Sequence, residues 1–510
     1  RLDGRAPRLG PNTRKTLRQL WDLAEGQMTL AVVPAKDPKM PYALIVSADA
    51  GKNAKAMQDA LVSATKQAEQ NGDKITTENY KGMNLTVIKP GKPQPDRAQP
   101  LAVWTNTGGV FHLAASVKID PIKDVLGNLK GRSESLADSE SYQTVQRRLG
   151  QGAPMTWFVS GAPMLELAAD VASQQGMDKG EIAAQFELLG LDAVKGIGGT
   201  YTLNTTEYDT YAKIFMHAPG QLPGLLRLFK FNKTALRPEP WVPASVAAYR
   251  TINFDFDNAF IALNEFADQL VPGLIQNLQQ QLAAPNGKKL DFKKQLFAPM
   301  GNRITMISDF KKPITADSQR TLFAVPLDDA KTLQATLNTM FEVLELKTKT
   351  REFQGVTIYD LDLTEVANAQ GAPAPQRPIC VAIANQTLFV SMEPTLLEQV
   401  LRPGGPTLAD NPTFQAVAKH LPPQSVSISY VKSDEQARVI YERIKTGQIQ
   451  EDIETFMPNG NGPRLSDFIN PAKLPDFSVV AKHLLPGGGF AQTDDEGAMI
   501  TQFAIKAGNP

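Results

Sequence analysis

Two kinds of hydrophobic pattern alternate along this chain. Ala54, Met57, Leu61, Ala64 and Ala68 recur at intervals of three and four, which predicts an amphipathic helix with one apolar stripe. Asp49 stands where it can cap that helix, and Asn71-Gly72 where it should end. Short apolar or alternating runs bounded by turn residues predict strands at 27–33 and 42–47. Two hairpins follow, 75–80 with 83–88 and 101–105 with 110–115. Helices at 121–129 and 139–149, a strand at 155–160, helices around 162–190 and a hairpin at about 196–217 complete the first half. Strands clustered in hairpins with helices between them define an α+β class, with antiparallel sheets and helices packed on one face.

The pattern then occurs again. Residues 137–149 and 409–421 share five identities: Ala137/Ala409, Asp138/Asp410, Gln143/Gln415, Val145/Val417 and Leu149/Leu421. Tyr142 matches Phe414 in kind, and Arg147 matches Lys419. The flanks repeat in the same order. The turn Tyr80-Lys81-Gly82 matches Phe353-Gln354-Gly355, Leu101–Trp104 corresponds to Ile379–Ala382, and Phe111 to Phe389. The stripe Met57, Leu61, Ala64 and Ala68 corresponds to Leu333, Leu337, Met340 and Leu344. Met155–Phe158 matches Val426–Tyr430, and the Gly196–Thr200 run matches Gly487–Phe490. We read a tandem duplication: a first repeat over 1–225, a Pro-rich junction over 226–241 and a second repeat over 242–510. Apolar residues at 222–231 imply that the junction is packed rather than a free linker.

The second copy carries a preface, with a strand expected at 251–256 and a helix from 257 bearing Phe260, Leu263, Ala267 and Leu270. Pro272 should break that helix. Arg1 aligns near Gln276, inside a repeat. The expectation is therefore a piece of a longer precursor whose leader carried a signal peptide or anchor. Loops at 90–100, 367–378 and 446–470 are read as surface loops.

Composition changes this picture only by exclusion. The chain has 510 residues, enough for two to four domains, and 53 basic against 53 acidic residues. That balance offers nucleic acid or an anionic membrane no electrostatic footprint. No apolar run of bilayer-spanning length occurs. The single cysteine, Cys380, lies in an apolar run and reads as a buried, inert thiol.

The search for chemistry leaves no catalytic, cofactor-binding or metal-binding residue. The four histidines, His112, His217, His420 and His483, lack zinc-helix spacing. His112 and His217 read as structural histidines on strands, and His420 as a tolerant surface position because the other copy has Arg148 there. No nucleophile elbow, phosphate loop or dinucleotide fingerprint is present. Gly487-Gly-Gly489 could cradle an anion but reads as a plain turn. Asp494-Asp-Glu496 reads as a solvated hairpin tip rather than a calcium loop. Trp21, Trp104, Trp157 and Trp241 read as core. Asp138 and Asp410 read as helix caps, with Pro412 at a helix start.

The segment 242–249, the long helix after it and the Ala-Asp-x-x-x-aromatic boxes at 137–142 and 409–414 resemble a family of large bacterial proteins known only as a domain of unknown function. The resemblance implies an exported, envelope-associated protein and no activity. The expectation is a non-catalytic scaffold or interaction protein of the cell envelope, extracytoplasmic, not an enzyme, working with protein partners or by self-association. A carrier of an apolar ligand such as lipid is the alternative, and an enzyme with an unrecognised carboxylate site the least favoured. No cofactor, nucleic acid or membrane span is expected.

Overall fold

A computed structural model describes residues 20–35, 37, 40–92, 99–128, 135–174, 176–229, 231–281, 290–315, 317–344, 346–364, 379–450 and 469–506. In the first copy the elements are β1 (Met28–Pro34), β2 (Tyr42–Asp49), α1 (Ala54–Gln70), β3 (Lys74–Tyr80), β4 (Met83–Lys89), β5 (Leu101–Thr107) and β6 (Val110–Ser116). They continue with α2 (Asp120–Asn128), α3 (Glu140–Leu149), β7 (Met155–Ser160), α4 (Gly161–Ser173), α5 (Lys179–Leu189), β8 (Gly196–Leu203) and β9 (Tyr208–His217). The preface of the second copy supplies β10 (Ala248–Asn253), α6 (Phe256–Leu270) and α7 (Leu274–Gln281). The order of the first copy then recurs as β11 (Arg303–Phe310), β12 (Gln319–Pro326), α8 (Ala330–Val343), β13 (Lys347–Phe353), β14 (Val356–Asp362), β15 (Ile379–Ala384) and β16 (Thr387–Ser391). It ends with α9 (Pro394–Leu401), α10 (Pro412–Ala418), β17 (Ser427–Val431), α11 (Ser433–Thr446), α12 (Phe477–Ala481), β18 (Gly487–Asp494) and β19 (Gly497–Ile505). The fold is α+β, with antiparallel sheets, and duplicated in tandem.

Spatially the chain forms two compact units, Arg1–Gln143 with Ser160–Gln185, and Thr144–Val159 with Phe186–Pro510. Sequence repeats and compact units therefore divide the chain differently, because the second unit also takes the closing hairpin of the first copy.

The first unit holds a six-stranded sheet in the order β1-β2-β6-β5-β4-β3. Its β3–β4 turn uses positive φ at Lys81 (51°) and Gly82 (82°), and the matching turn in the second copy does so at Gln354 (54°) and Gly355 (76°). That is why the aromatic-x-Gly signature recurs: a two-residue hairpin turn of this hand needs both residues left-handed. Helices cover both faces of this sheet, whereas the sequence placed them on one. Met57 and Leu61 of α1 pack with Ala48, Trp104 and Phe111. Ile122 and Leu126 of α2 pack with Ile45, Val87, Val103 and Ala114, which alternate with the first set and so face the other way.

The second unit holds a thirteen-stranded sheet, β13-β14-β15-β16-β12-β11-β10-β17-β18-β19-β9-β8-β7. Its β11–β16 portion has the same strand order as the first unit. At its other end the two copies meet: β19 pairs antiparallel with β9, from Gly497 opposite His217 to Ala504 opposite Thr210. Outward from that seam the order reads β9-β8-β7 in one direction and β19-β18-β17 in the other. Only the second copy continues, through β10, which lies between β17 and β11.

Several boundaries moved from their expected places. β10 begins three residues early, and α6 starts at Phe256 because Asp255 accepts from the Asn258 amide at 2.9 Å. Pro272 does separate α6 from α7. Asp49 binds the Gly51 amide at 2.9 Å, but a 3-10 turn at Gly51–Asn53 separates it from α1. The match of Phe111 to Phe389 slips by one residue. The β5–β6 hairpin closes at Thr107 opposite Val110, and β15–β16 at Ala384 opposite Thr387. Phe111 therefore corresponds to Leu388, and a one-residue slip in a strand exchanges its faces. The 226–241 junction is packed, as expected: Thr234 bridges Ser425, and Leu236 and Trp241 pack on the core around Tyr249. Within the expected loops, residues 93–98, 367–378 and 451–468 lie outside the described residues. No helix among the described residues is long and apolar enough to cross a membrane.

Candidate functional site

The duplicated box is the first place where identical acids invite a functional reading. In both copies it builds a turn. Asp138 Oδ2 accepts from the Ser135 amide and hydroxyl, each at 2.8 Å, closing a capping box on the 3-10 turn Leu136–Asp138. Asp410 Oδ2 accepts in the same way from Thr407, 2.7 Å from the hydroxyl. Those hydrogen bonds, the amide first, hold the Asp138 carboxyl below its ordinary range. The acids therefore cap, but one turn earlier than expected. The first turn of α10 is capped by Asn411, whose Oδ1 accepts from Thr413 and Phe414, with Pro412 at the helix start. The identical glutamines close the same turn: Gln143 donates to the Ala137 carbonyl at 2.8 Å and Gln415 to Ala409 at 3.1 Å.

The identical valine explains the glycine runs. Val145 and Val417 are fully buried. A Cβ on Gly198 would lie 2.5 Å from Val145 Cγ1, and one on Gly488 would lie 2.5 Å from Val417 Cγ1. The plain turn expected from the sequence is not what these glycines form. They lie inside β8 and β18, where only a hydrogen fits beneath the helix. Gly199 makes the same allowance for the Trp157 indole, whose Nε1 would be 2.6 Å from its Cβ.

The other candidates resolve into packing or ion pairs. Trp104 is buried, but Trp157 is 41% and Trp21 67% exposed, against the expectation of four core tryptophans. Trp157 lies on β7, the outermost strand of its sheet among the described residues. The acidic tip is not freely solvated. Glu496 meets Arg147 at 2.6 Å and Arg148 at 2.9 Å, and Asp494 also pairs with Arg148, which stacks over Phe215. The Arg147 hydrogen bond first, then Arg148, holds the Glu496 carboxyl below its usual value. His420 is half-buried rather than a surface position, 3.1 Å from the Tyr208 hydroxyl and packed on Phe503. His112 is held between Ser47 (2.8 Å) and Thr107 (2.9 Å), and burial lowers its pKa. His483 is exposed. Cys380 is fully buried, and its thiol is pushed up to about 12 by burial and then by Asp360. Asp360 itself pairs with Arg351 at 3.0 Å, and Arg351 reaches Glu398 at 2.6 Å.

One cleft in the second unit carries polar chemistry that the sequence did not reveal. It encloses about 440 Å³ and is lined by residues including Glu239, Trp241, Asn253, Arg303, Thr305 and Asp328. The junction segment positions its centre, because Pro238 and Pro240 restrict the backbone on both sides of Glu239. Glu239 Oε1 accepts from Thr305 at 2.6 Å and lies 3.5 Å from Arg303. Its Oε2 lies 3.2 Å from the Tyr249 hydroxyl, whose pKa is driven far up by burial and then by the Glu239 charge. Asn253 Nδ2 donates to the Asn232 carbonyl at 2.7 Å and to Thr234 at 2.9 Å. The carboxylate is thus held by three partners and bound into the wall. Its lining brings no histidine or cysteine to the Thr305–Glu239 hydrogen bond. Nor do the described residues bring three histidine, cysteine, aspartate or glutamate side chains together as a metal site. The sequence signal that could have found this cleft is Pro-Glu-Pro.

The architecture defines a class of duplicated antiparallel α+β proteins. The family model described as "Protein of unknown function (DUF3352)" matches residues 22–206 and 263–455, and the chain belongs to that family. No curated protein and no solved structure matches it.

Proposed function

We propose that the protein is a non-catalytic scaffold or interaction protein of the bacterial cell envelope, acting outside the cytoplasm through protein partners or self-association. The observation that carries this reading is the β9–β19 seam, which joins the closing strands β7–β9 of the first copy to the second copy in one thirteen-stranded sheet. The acids that the repeat preserves support it, because both are engaged in turn closure. Cross-linking in intact cells of the native host, with a hydrolase and transferase screen of purified protein, tests it. The reading expects discrete envelope partners or homo-oligomers and no turnover. Reproducible turnover abolished by one point substitution would overturn it.

A second reading, binding of an apolar ligand such as lipid, has one observation in its favour. Leu30 (71% exposed), Val32 (54%) and Leu44 (38%) lie on one face of the β1–β2 pair, with Val32 directly opposite Leu44. Native mass spectrometry of protein from its own host would reveal a bound lipid. A clean mass across several preparations excludes it.

A further inference from the structure

The Glu239 cleft lies wholly within the second unit, and only its centre is closed on itself. Glu239 is held by Thr305, Tyr249 and Arg303. Around that centre the lining has open polar groups. Asp328 is exposed, and its carboxylate makes neither a hydrogen bond nor an ion pair among the described residues. The Asn302 side-chain amide is exposed and unpartnered in the same sense. The Arg303 guanidinium lies 3.5 Å from Glu239 and donates no hydrogen bond among the described residues, so its N–H groups stay available.

The frame under these groups is fixed. The Gly301 amide donates to the Pro326 carbonyl at 2.7 Å, and the Asp328 amide to the Pro299 carbonyl at 2.9 Å. The Phe254 amide donates to the Asn302 carbonyl at 3.1 Å. Asn302 and Asp328 therefore project from pinned backbone, which lowers the ordering cost of binding. Trp241, half-buried, gives the wall its aromatic part. Phe389 meets its ring at 89° and so covers at most one face of the indole. The volume of about 440 Å³ falls among small-ligand sites of about 300–1,000 Å³.

Charge selects among small ligands. Glu239 offsets Arg303, which leaves Asp328 as the uncompensated charge and disfavours an anion. A cation would find Asp328 but would face a guanidinium that can only donate. A neutral polyol uses every open group. Its hydroxyls donate to Asp328, accept from Arg303 and do both with Asn302, while the C–H face of a pyranose ring lies against an indole. We infer that this cleft binds a neutral sugar, with Trp241 as the stacking surface and Asp328, Asn302 and Arg303 as the hydrogen-bonding set. The inference adds a ligand to the scaffold reading and does not rest on it.

Isothermal titration calorimetry on the full chain tests this, with methyl glucoside, methyl mannoside, N-acetylglucosamine, maltose, cellobiose and chitobiose as probes. At least one should bind with a Kd of about 1 mM or tighter. That Kd should hold within about twofold between about 0.05 and 0.5 M NaCl, because no ligand charge is paired. Asp328→Ala should weaken binding about tenfold, the loss of a hydrogen bond to a charged group, with an unchanged urea midpoint. Asn302→Ala should weaken it less, again without loss of stability. Trp241 also packs on the core, so Trp241→Tyr, which keeps a flat ring, should retain binding that Trp241→Ala loses. No heat from any probe at about 50 mM overturns the inference. So does a sugar whose affinity survives both Asp328→Ala and Asn302→Ala, because it then sits elsewhere. Tighter binding of choline or acetate than of every sugar also overturns it, because the cleft then reads charge. None of these results bears on cross-linking to envelope partners, so the scaffold reading fails or stands separately.

Discussion

The contact between the box valine and the strand glycine makes a quantitative prediction. Gly488→Ala places a methyl 2.5 Å from Val417 Cγ1, 3.0 Å from the Ser429 carbonyl and 3.2 Å from Phe503 Cζ. Carbon atoms rest at about 3.5–4.0 Å, so the helix or strand must yield by about 1 Å. Overpacking of that kind costs about 1–3 kcal/mol. Val417→Ala removes two carbons from a site with no exposure, about 1.6 kcal/mol of transfer free energy plus a cavity term, or about 2 kcal/mol. The double variant should cost less than the sum by about 1 kcal/mol, because the deletion removes the atom that the new methyl strikes. Urea unfolding followed by circular dichroism measures all four corners of the cycle, with the m-value checked for constancy. The twin pair, Val145 and Gly198, should show coupling of the same sign. Additivity at both pairs within about 0.5 kcal/mol, or a silent Gly488→Ala, would refute the packing argument.

Two further outcomes follow from the charged and thiol groups. The Glu496 carboxyl titrates lower folded than unfolded, so its pairing with Arg147 and Arg148 stabilises above the unfolded carboxylate range and is lost as the pH falls through the folded value. An Arg147→Ala, Arg148→Ala variant should therefore unfold at lower urea than the parent at pH 7, and the gap should close below about pH 4; a gap unchanged at pH 3 contradicts this. The Cys380 thiol, pushed up to about 12 and fully buried, should resist alkylation at pH 8 in the folded protein and react at the free-thiol rate in denaturant; rapid labelling of the native state would show that it is accessible.

What could be read from the sequence was what short stretches encode. The stripe at Met57 and Leu61, the left-handed turn at Lys81-Gly82 and the break at Pro272 each depend on a few neighbouring residues, and each was legible. The identity of the box marked a structural requirement, although its partner, Gly198 or Gly488, could be read only as a turn because glycine carries no sign of what presses on it. Contacts between distant segments left no trace. Arg148 and Glu496 stand 348 residues apart, and nothing in either neighbourhood points to the other. Tyr208 and His420, 212 residues apart, are hidden for the same reason. The Glu239 cleft needs the junction laid over β10 and β11 before its groups converge. Trp157 misled because a half-buried edge strand and a core strand share one alternation; only the strand order tells them apart.

The account stands on the two module copies sharing one sheet through β9 and β19. Native-state hydrogen exchange in low urea measures that sharing at the paired segments Tyr208–His217 and Gly497–Ile505. If the seam is one cooperative structure, their slowest amides open with a single free energy and the same denaturant dependence. If the amides of β9 open at low free energy while those of β19 stay protected, the copies are separate modules in contact, and the fused scaffold is wrong.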